Sequence, residues 1–446
     1  MTVRWKEMRL EGWGRVAPAA VPAARPERLA GVATALAQAG GFALARGAGR
    51  AYGDAAQLSG GRAILTARLD RMLAFDPATG LLECEPGVSF RDLIDTFAVR
   101  GFVPPVSPGT AHVTVGGAIA ADVHGKNHDR HGSFGDHVEW IDVLVADGRT
   151  LRASTAENAD LFGATIGGMG LTGVIVRAAF RMLPGTARVA VRERRIADLD
   201  AFFAAFEAAR ATSTFSVGWV DALARGRALG RGVFETAEFV PDAGIAPQMR
   251  KPRAVPFDLP EFALSPASVR VFNALYRARV PRAGRASMRA LDAFLYPLDS
   301  LSGWNRLYGK RGFYQFQSVV PDAGALGATR AMLEAVSAGG NASFLAVLKT
   351  LGGEGRGHLS FPMRGVTLAL DIPRAAGADD LMRDLERIAR DAGGRIYLAK
   401  DARMSAGTFA ATYPKLPEFR AALAKYDPAG RFASDLSRRL EIRGPA

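Results

Sequence analysis

The apolar positions of this chain fall in short runs closed by glycine or proline, and the rhythm of those runs changes near Pro184. Residues 27–38 set apolar side chains on one helical face, and Gly40 and Gly41 close the predicted helix. Strands are predicted at 42–45, 63–67 and 72–75, and the turn DPATG at 76–80 leads into another at 81–85. Ser89 is placed to cap a helix over 90–97, and Gly101 ends that segment. A strand at 140–146 meets a hairpin turn at Asp147 and Gly148. The glycine-rich turn at 167–170 then leads into a strand at 174–182. Beyond Pro184 come a strand (188–192), a helix (199–211) and a strand (215–220). Residues 222–290 are rich in Arg, Pro and Gly with weak periodicity, which predicts mobile loop for part of this stretch. From 313 the order is strand (313–320), helix (324–337), strands (342–349, 365–371), helix (377–392) and strand (394–399). This β-α-β-β-α-β succession predicts an antiparallel sheet with helices on one face, hence an α+β fold.

At 446 residues the chain exceeds a single hydrophobic core, so two domains are expected. No apolar run approaches the ~20 residues that a membrane-spanning helix needs. The start, MTVRWKEMRL, alternates charged and apolar residues without a leader-like apolar stretch, so a mature cytoplasmic protein is expected. The lone Cys84 excludes an internal disulfide and suits a reducing compartment. A net charge of +13 admits nucleic acid, an anionic membrane surface or a phosphorylated substrate as partner. The aromatic residues are not interleaved with the basic ones, which speaks against an RNA-stacking platform. Arg250, Lys251, Arg253, Arg270, Arg277, Arg279, Arg282, Arg285 and Arg289 surround Val271, Phe272, Leu275 and Tyr276, a composition able to lie on phospholipid.

The run RGAGRAYGD at 46–54 has the GxG of a dinucleotide turn. No amphipathic helix follows it, and a Rossmann site needs that helix to meet the pyrophosphate, so a Rossmann turn is excluded. What remains is a glycine loop whose amides can curl around phosphate, with Arg46 and Arg50 adding charge. A second such segment follows: Pro108, Gly109, then Thr114, Gly116 and Gly117, where Thr114 can cap a short helix running to Gly125. Two phosphate-cradling loops, neither of the Rossmann type, point to an extended dinucleotide such as FAD. His112, His124, His128, His131 and His137 crowd the same region. Gly125 breaks the helix that ligation by His124 and His128 would need, so no metal site is expected. Lys349 and Lys400 each close a predicted strand. A compact ammonium there could stabilise anionic charge on a reduced flavin. Gln315 and Gln317 share one strand face and can reach one pocket.

These residues sit in longer runs: RGAGRAYGDAAQ (46–57), PGTAHVTVGGAIAADVHGKNHDRHGSFGDHV (108–138), GGMGLTGVI (167–175), YLAKDARMSAGTFAATYP (397–414) and FASDLSRRLEI (432–442). Together they resemble the vanillyl-alcohol-oxidase type of FAD proteins, with a PCMH-type FAD-binding domain, and within it the decaprenylphosphoryl-β-D-ribose 2′-oxidase family. The resemblance spans nearly the whole chain and is weakest at 222–290. It implies an FAD-binding domain at 1–187, a substrate-binding domain at 188–395, and a segment at 396–446 returning to the FAD domain. Carried over by position, cofactor contacts would come from Arg46, Gly47, Ala48, Gly49, Arg50, Ala51, Tyr52, Gly53, Asp54 and Ala55. Gly109, Thr114, Val115, Gly116, Gly117, Ala121, Asp122, Val123, His124, Ile175 and Tyr397 would complete them.

The implied active-site face is Tyr52, His124, Lys126, Trp219, Gln315, Gln317, Lys349 and Lys400. Lys400 would support developing charge, Lys349 would face the phosphate, and the base would be one of Tyr52, His124, Lys126 and Lys400. Members with covalent flavin carry a histidine where Arg50 stands, which implies noncovalent FAD. Mycobacterial-type members carry a cysteine at the position of Ala369 and a serine near Val217, so a thiol cannot be required here. The implied reaction is oxidation of the 2′-hydroxyl of polyprenylphosphoryl-β-D-ribose to the 2′-ketone. A short-chain dehydrogenase/reductase partner would then reduce the ketone to the arabinose epimer. Two alternatives stand beside it: an FAD-dependent oxidase or dehydrogenase of a small sugar alcohol or aldonolactone, and a basic nucleic-acid-binding or interaction protein on a flavin-like fold.

Overall fold

The computed structural model describes residues 3–241, 252–340 and 344–444. Near the N-terminus, Trp5–Leu10 pairs antiparallel with Ala19–Ala24, which runs parallel to Arg62–Leu65, itself parallel to Ala43–Arg46. Parallel neighbours require a crossover, and the helix Leu29–Gln38 supplies one while burying Val32, Ala35 and Leu36. A five-stranded antiparallel sheet follows in the order Met72–Asp76, Leu81–Cys84, Val174–Arg181, Val138–Leu144, Thr150–Ser154. The helix Phe90–Phe97 packs beside it, begun by a capping box between Ser89 and Asp92 and burying Phe90, Leu93, Ile94 and Phe97. The end of the chain returns to this part of the molecule. Phe432 bridges Ala43, and Arg439 pairs with Asp54 at 2.8 Å.

The second body is an eight-stranded antiparallel sheet. Its order is Arg285–Ala290, Arg188–Ile196, Gly232–Phe239, Phe215–Val220, Ala346–Leu351, Gly365–Pro373, Phe313–Pro321, Arg395–Ile396. The helices Leu199–Arg210, Asp322–Gly339 and Ala378–Asp391 pack against it. Phe202 from the first of these needs glycine opposite, since a Cβ at Gly218 would lie 2.6 Å from its ring. Strand periodicity turns alternate residues to the bare face. Cross-strand register aligns Gln317 with Ala369, Ala369 with Val347, and Val347 with Trp219, making one continuous row across that face.

The antiparallel sheet and its helices match expectation, but several local expectations fail. Within residues 222–290, where the weak periodicity revealed no regular element, lie the strand Gly232–Phe239, the helix Pro266–Ala278 and the strand Arg285–Ala290. The helix escapes a periodicity test because it buries Val269 yet exposes Val271 and Leu275, so apolar residues lie on both faces. The helix expected to reach Gly125 spans Val115–Ala120, because Asp122 adopts a φ of +40° that no α-helix continues through. The strand expected at 394–399 is only Arg395–Ile396. Tyr397 opens a turn in which its carbonyl accepts from the Lys400 amide at 2.9 Å. Lys349 lies inside Ala346–Leu351 rather than at its end. The expected basic residues Arg250 and Lys251, and the first residues of the strand expected from 342, lie outside the described residues.

Candidate active site

A cavity of about 380 Å³ lies between the two glycine loops and the bare face of the eight-stranded sheet. The first loop leaves the strand Ala43–Arg46 and holds Gly49 at a φ of +65°, where a Cβ would come within 2.7 Å of the Arg46 guanidinium carbon. Among the described residues, the amides of Ala48, Gly49 and Arg50 donate to no backbone carbonyl, which leaves them free for an anion. In the second loop the Thr114 hydroxyl accepts from the Gly117 amide at 3.3 Å, as its capping position predicts. A Cβ at Gly47 would overlap that hydroxyl, so the loops can meet only because residue 47 is glycine.

Three buried polar atoms in the cavity wall have no hydrogen-bond partner among the described residues: Arg50 Nε, His124 Nδ1 and Gln315 Oε1. Orphaned buried groups are costly unless a ligand completes them. Free backbone donors with Arg50 Nε in the same loop, unpartnered atoms of His124 and Gln315 elsewhere in the wall and apolar lining suit an extended flavin dinucleotide. The residues present therefore fit FAD.

Lys126, Lys349 and Lys400 all face this enclosed space, and Glu235 is the carboxylate that lines it among the described residues. The balance is electropositive and favours an anionic ligand. Desolvation lowers Lys349 to about 8, aided by repulsion from Lys126. Desolvation likewise brings Lys126 to about 8; its Nζ donates to the Phe294 carbonyl and lies 4.1 Å from the Phe294 ring centroid. For Lys400 desolvation also disfavours the ammonium, opposed by the charge of Asp371. Its Nζ sits 3.7 Å from the centroid of the Tyr52 ring. Burial raises the Tyr52 hydroxyl well above its ordinary range.

Two buried amides are held from behind. Gln315 Nε2 donates to Asp371 Oδ1 at 2.5 Å, and the Tyr308 hydroxyl donates to Asp371 Oδ2 at 2.9 Å. Gln317 Nε2 donates to His124 Nε2 at 2.8 Å and to Thr367 Oγ1 at 3.1 Å. Accepting at Nε2 places the His124 proton on Nδ1, the orphaned atom in the wall. Burial, then the nearby Lys349, His128 and Lys400, hold this imidazole neutral, well below the usual histidine range.

Most residues expected at the cofactor line this cavity, Ile175, Tyr397, Gly109 and Ala121 among them. Four lie behind its wall. Gly53 packs against the Asp401 backbone, and Asp54 is held by Arg439. Val115 is fully buried and its amide donates to the Val88 carbonyl at 2.8 Å. Asp122 accepts from Ser133 Oγ and the Gly135 amide at 2.9 Å and from Ser360 Oγ, tying the glycine-histidine segment to the sheet body. Expected substrate-side residues Trp219, Gln315, Gln317, Lys349 and Lys400 are brought together in one wall.

Sequence reasoning did not single out Trp13, Glu235 or Trp304 in the wall, nor Asp371 and Tyr308 behind it. Trp13 lies 4.2 Å below the Arg50 guanidinium. Only the alternation of Gln315 and Gln317 hinted at Asp371, which is the cross-strand partner of Gln315.

Part of the expected basic surface is spent internally, while Arg253, Arg270 and Arg282 stay exposed. Arg279 and Arg285 bond Glu193 at 2.6 and 2.7 Å, Arg289 joins them, and Arg279 also bonds Glu235 at 3.0 Å. Burial works against the Glu193 charge, but bonds from Arg289 and Arg285 hold its carboxyl well below the ordinary range. Engaged in this way, Arg279, Arg285 and Arg289 are not free charges for a nucleic-acid backbone or a lipid headgroup layer.

Comparison with known proteins agrees with this geometry. Residues 18–154 match the model of an FAD binding domain, and residues 367–440 match that of D-arabinono-1,4-lactone oxidase. A decaprenylphosphoryl-beta-D-ribose oxidase of Mycolicibacterium smegmatis is 36% identical over 97% of this chain and 97% of its own length. An uncharacterized protein of Streptomyces coelicolor is 35% identical over 80% of this chain and all of its own length. Cytokinin dehydrogenase 1 of rice is 38% identical, but over only 26% of this chain and 21% of its own. With FAD-suited loops, an electropositive cavity and likeness along nearly the full length, the chain belongs to the decaprenylphosphoryl-β-D-ribose oxidase family of FAD-dependent oxidoreductases.

Proposed function

We propose that this enzyme oxidises the 2′-hydroxyl of a polyprenylphosphoryl-β-D-ribose to the 2′-ketone, with FAD held noncovalently by the loops at 46–55 and 109–124. The observation that carries this reading is the meeting of Lys126, Lys349 and Lys400 with Gln315, Gln317 and Trp219 in one cavity beside those loops. When bound there, FAD supplies the two-electron acceptor. Lys349 and Lys126 attract the phosphate, and Gln315 Oε1 offers an acceptor to a sugar hydroxyl. The His124 Nδ1–H is a donor, and its other ring nitrogen is occupied by Gln317, so His124 orients rather than deprotonates. Lys126 is engaged as a donor to Phe294, and burial keeps the Tyr52 proton in place. Lys400, whose ammonium desolvation disfavours, takes the hydroxyl proton as the carbon is oxidised. On a domain division at 1–187, 188–395 and 396–446, this site would lie between the two bodies.

The 2′-ketone then needs a hydride donor to give the arabinose epimer, and the resemblance to the family implies a short-chain dehydrogenase/reductase partner for that half-reaction. No described helix is long and apolar enough to cross a membrane. The match of residues 367–440 to a lactone oxidase model favours a second reading, oxidation of a small aldonolactone. One experiment separates them. The purified yellow protein is offered farnesylphosphoryl-β-D-ribofuranose or D-arabinono-1,4-lactone, and product is followed by mass for loss of two hydrogens. Turnover of the phosphoryl-ribose alone supports the proposal, and turnover of the lactone alone replaces it. Acid precipitation should release the flavin to the supernatant; flavin retained in the pellet would refute noncovalent binding.

A further inference from the structure

The helix Pro266–Ala278 turns one face to the cavity and the other to solvent. Tyr276 lines the cavity with its ring 4.6 Å from Trp219, and its hydroxyl accepts from Arg279 at 2.9 Å. Arg279 is fixed in turn by Glu193 and Glu235, so this end of the helix is anchored. Phe272 stacks on Tyr276 at 5.8 Å and approaches Phe344 at 5.1 Å, while the Phe344 carbonyl accepts the Trp219 indole N–H at 2.8 Å. Aromatic contact therefore runs unbroken from Trp219 in the cavity to Phe272, which is 41% exposed. Val271 and Leu275, one helical turn apart, continue it outward with 60% and 67% of their surface exposed. Apolar side chains this exposed and contiguous with a cavity mark a binding surface.

We propose that this apolar ramp binds an extended isoprenoid chain, which leaves the cavity past Trp219 and Tyr276 and lies across Phe272, Val271 and Leu275. The assignment rests on the phosphoryl-sugar reading for which end of the ligand enters the cavity. A chain that makes no hydrogen bonds suits the ramp, because Tyr276 and Trp219 have already committed their polar atoms to Arg279 and Phe344. Isoprene units laid on these side chains would remove apolar surface from water on both partners, the term that stabilises such a contact. At the helix end Arg279 points inward to Glu193 and Glu235, and Arg277 to the Ile196 carbonyl, so neither competes with a hydrocarbon for the ramp.

The test uses phosphoryl-β-D-riboses carrying geranyl, farnesyl and geranylgeranyl chains, with the FAD-bound protein and the double variant Val271→Ser, Leu275→Ser. In the parent protein KM should fall as the chain lengthens. In the variant KM should be nearly independent of length, with kcat and the geranyl KM within about twofold of the parent, since about 25 cal/mol per Å² of contact is lost only for longer chains. Calorimetry gives a readout independent of turnover. Farnesyl phosphate should bind the variant about tenfold more weakly, the effect of roughly 60 Å² of lost apolar burial, while inorganic phosphate binds both alike. Length dependence retained in the variant overturns the proposal. So does a concentration-dependent dimer of the parent that the variant abolishes, or loss of vesicle co-sedimentation without change in length dependence. If no phosphoryl-ribose is turned over, the functional reading fails, and the farnesyl phosphate titration still decides the ramp.

Discussion

Lys400 Nζ lies 3.7 Å from the centroid of the Tyr52 ring, which joins the turn after the last strand of the sheet body to the first glycine loop. The ring face favours the ammonium, while desolvation opposes it. Lys400→Ala should keep FAD but lose about 10²–10⁴-fold in kcat, the usual worth of a positioned proton acceptor. Tyr52→Leu removes the ring and should move the acidic limb of the kcat profile to lower pH, because the base then loses its proton more readily. Flavin absorbance with steady-state rates at several pH values checks both, and full activity of Lys400→Ala would remove Lys400 from its role.

His124 should not titrate in the physiological range. Burial and its lysine neighbours depress its pKa well below the usual value, and the bond from Gln317 keeps Nε2 an acceptor. Nitrogen-15 spectra of histidine-labelled protein should show one neutral imidazole protonated at Nδ1 and unchanged between pH 5.5 and 8. A midpoint above pH 6 for this residue would contradict the assignment.

The two glycine loops were legible because phosphate cradles demand a local residue pattern: Gly47, Gly49, Thr114 and Gly117 are close in sequence and each has a backbone reason. The sheet body was legible from 313 onward because its helices and strands alternate with clear periods. Asp371 and Tyr308 were not, because they act through a cross-strand register and a contact spanning 63 positions, neither of which leaves a local signal. The helix Pro266–Ala278 was missed because its exposed face is as apolar as its buried one, and that same property makes it a binding surface. Composition alone cannot separate arginines that converge on Glu193, as Arg279, Arg285 and Arg289 do, from those left exposed, such as Arg270 and Arg282.

Lys349 carries a stability cost that function explains. Desolvation and Lys126 lower it to about 8, against 10.5 for an ordinary lysine. Between those values the unfolded chain binds the extra proton, so raising the pH from 8 to 10.5 should stabilise the protein, and no such gain accrues below 8. Lys349→Met should raise Tm by a few degrees, most clearly below pH 8, and flatten this dependence. Binding of farnesyl phosphate has the opposite sign, since it needs the ammonium: affinity should fall up to about tenfold per pH unit above 8 and be poor at all pH values in the variant. Thermal melts and calorimetry across pH 6.5–10 test the two signs independently, and a destabilised variant that still binds would refute the assignment.

Asp371 should set which end of the Gln315 amide meets the substrate. A carboxylate can only accept, so with Tyr308 on Oδ2 the Gln315 NH₂ must turn to Oδ1 and present Oε1 to the cavity. Burial favours the neutral acid, while the bonds from Gln315 and Tyr308 favour the anion that fixes this orientation. Asp371→Leu keeps side-chain size but takes the acceptor from two buried donors, so the protein should fold and bind FAD while melting a few degrees below the parent. Its KM for the phosphoryl-ribose should rise about tenfold, the effect of one misdirected hydrogen bond of about 1.4 kcal/mol. Gln315→Leu should show the same rise, and the double variant should add little to either, because one acceptor is lost in all three. Asp371→Asn, which can still accept from the amide, should recover part of the affinity. If the two single effects multiply in the double variant, Asp371 acts by a route other than Gln315, with the charge of Lys400 the next candidate to measure.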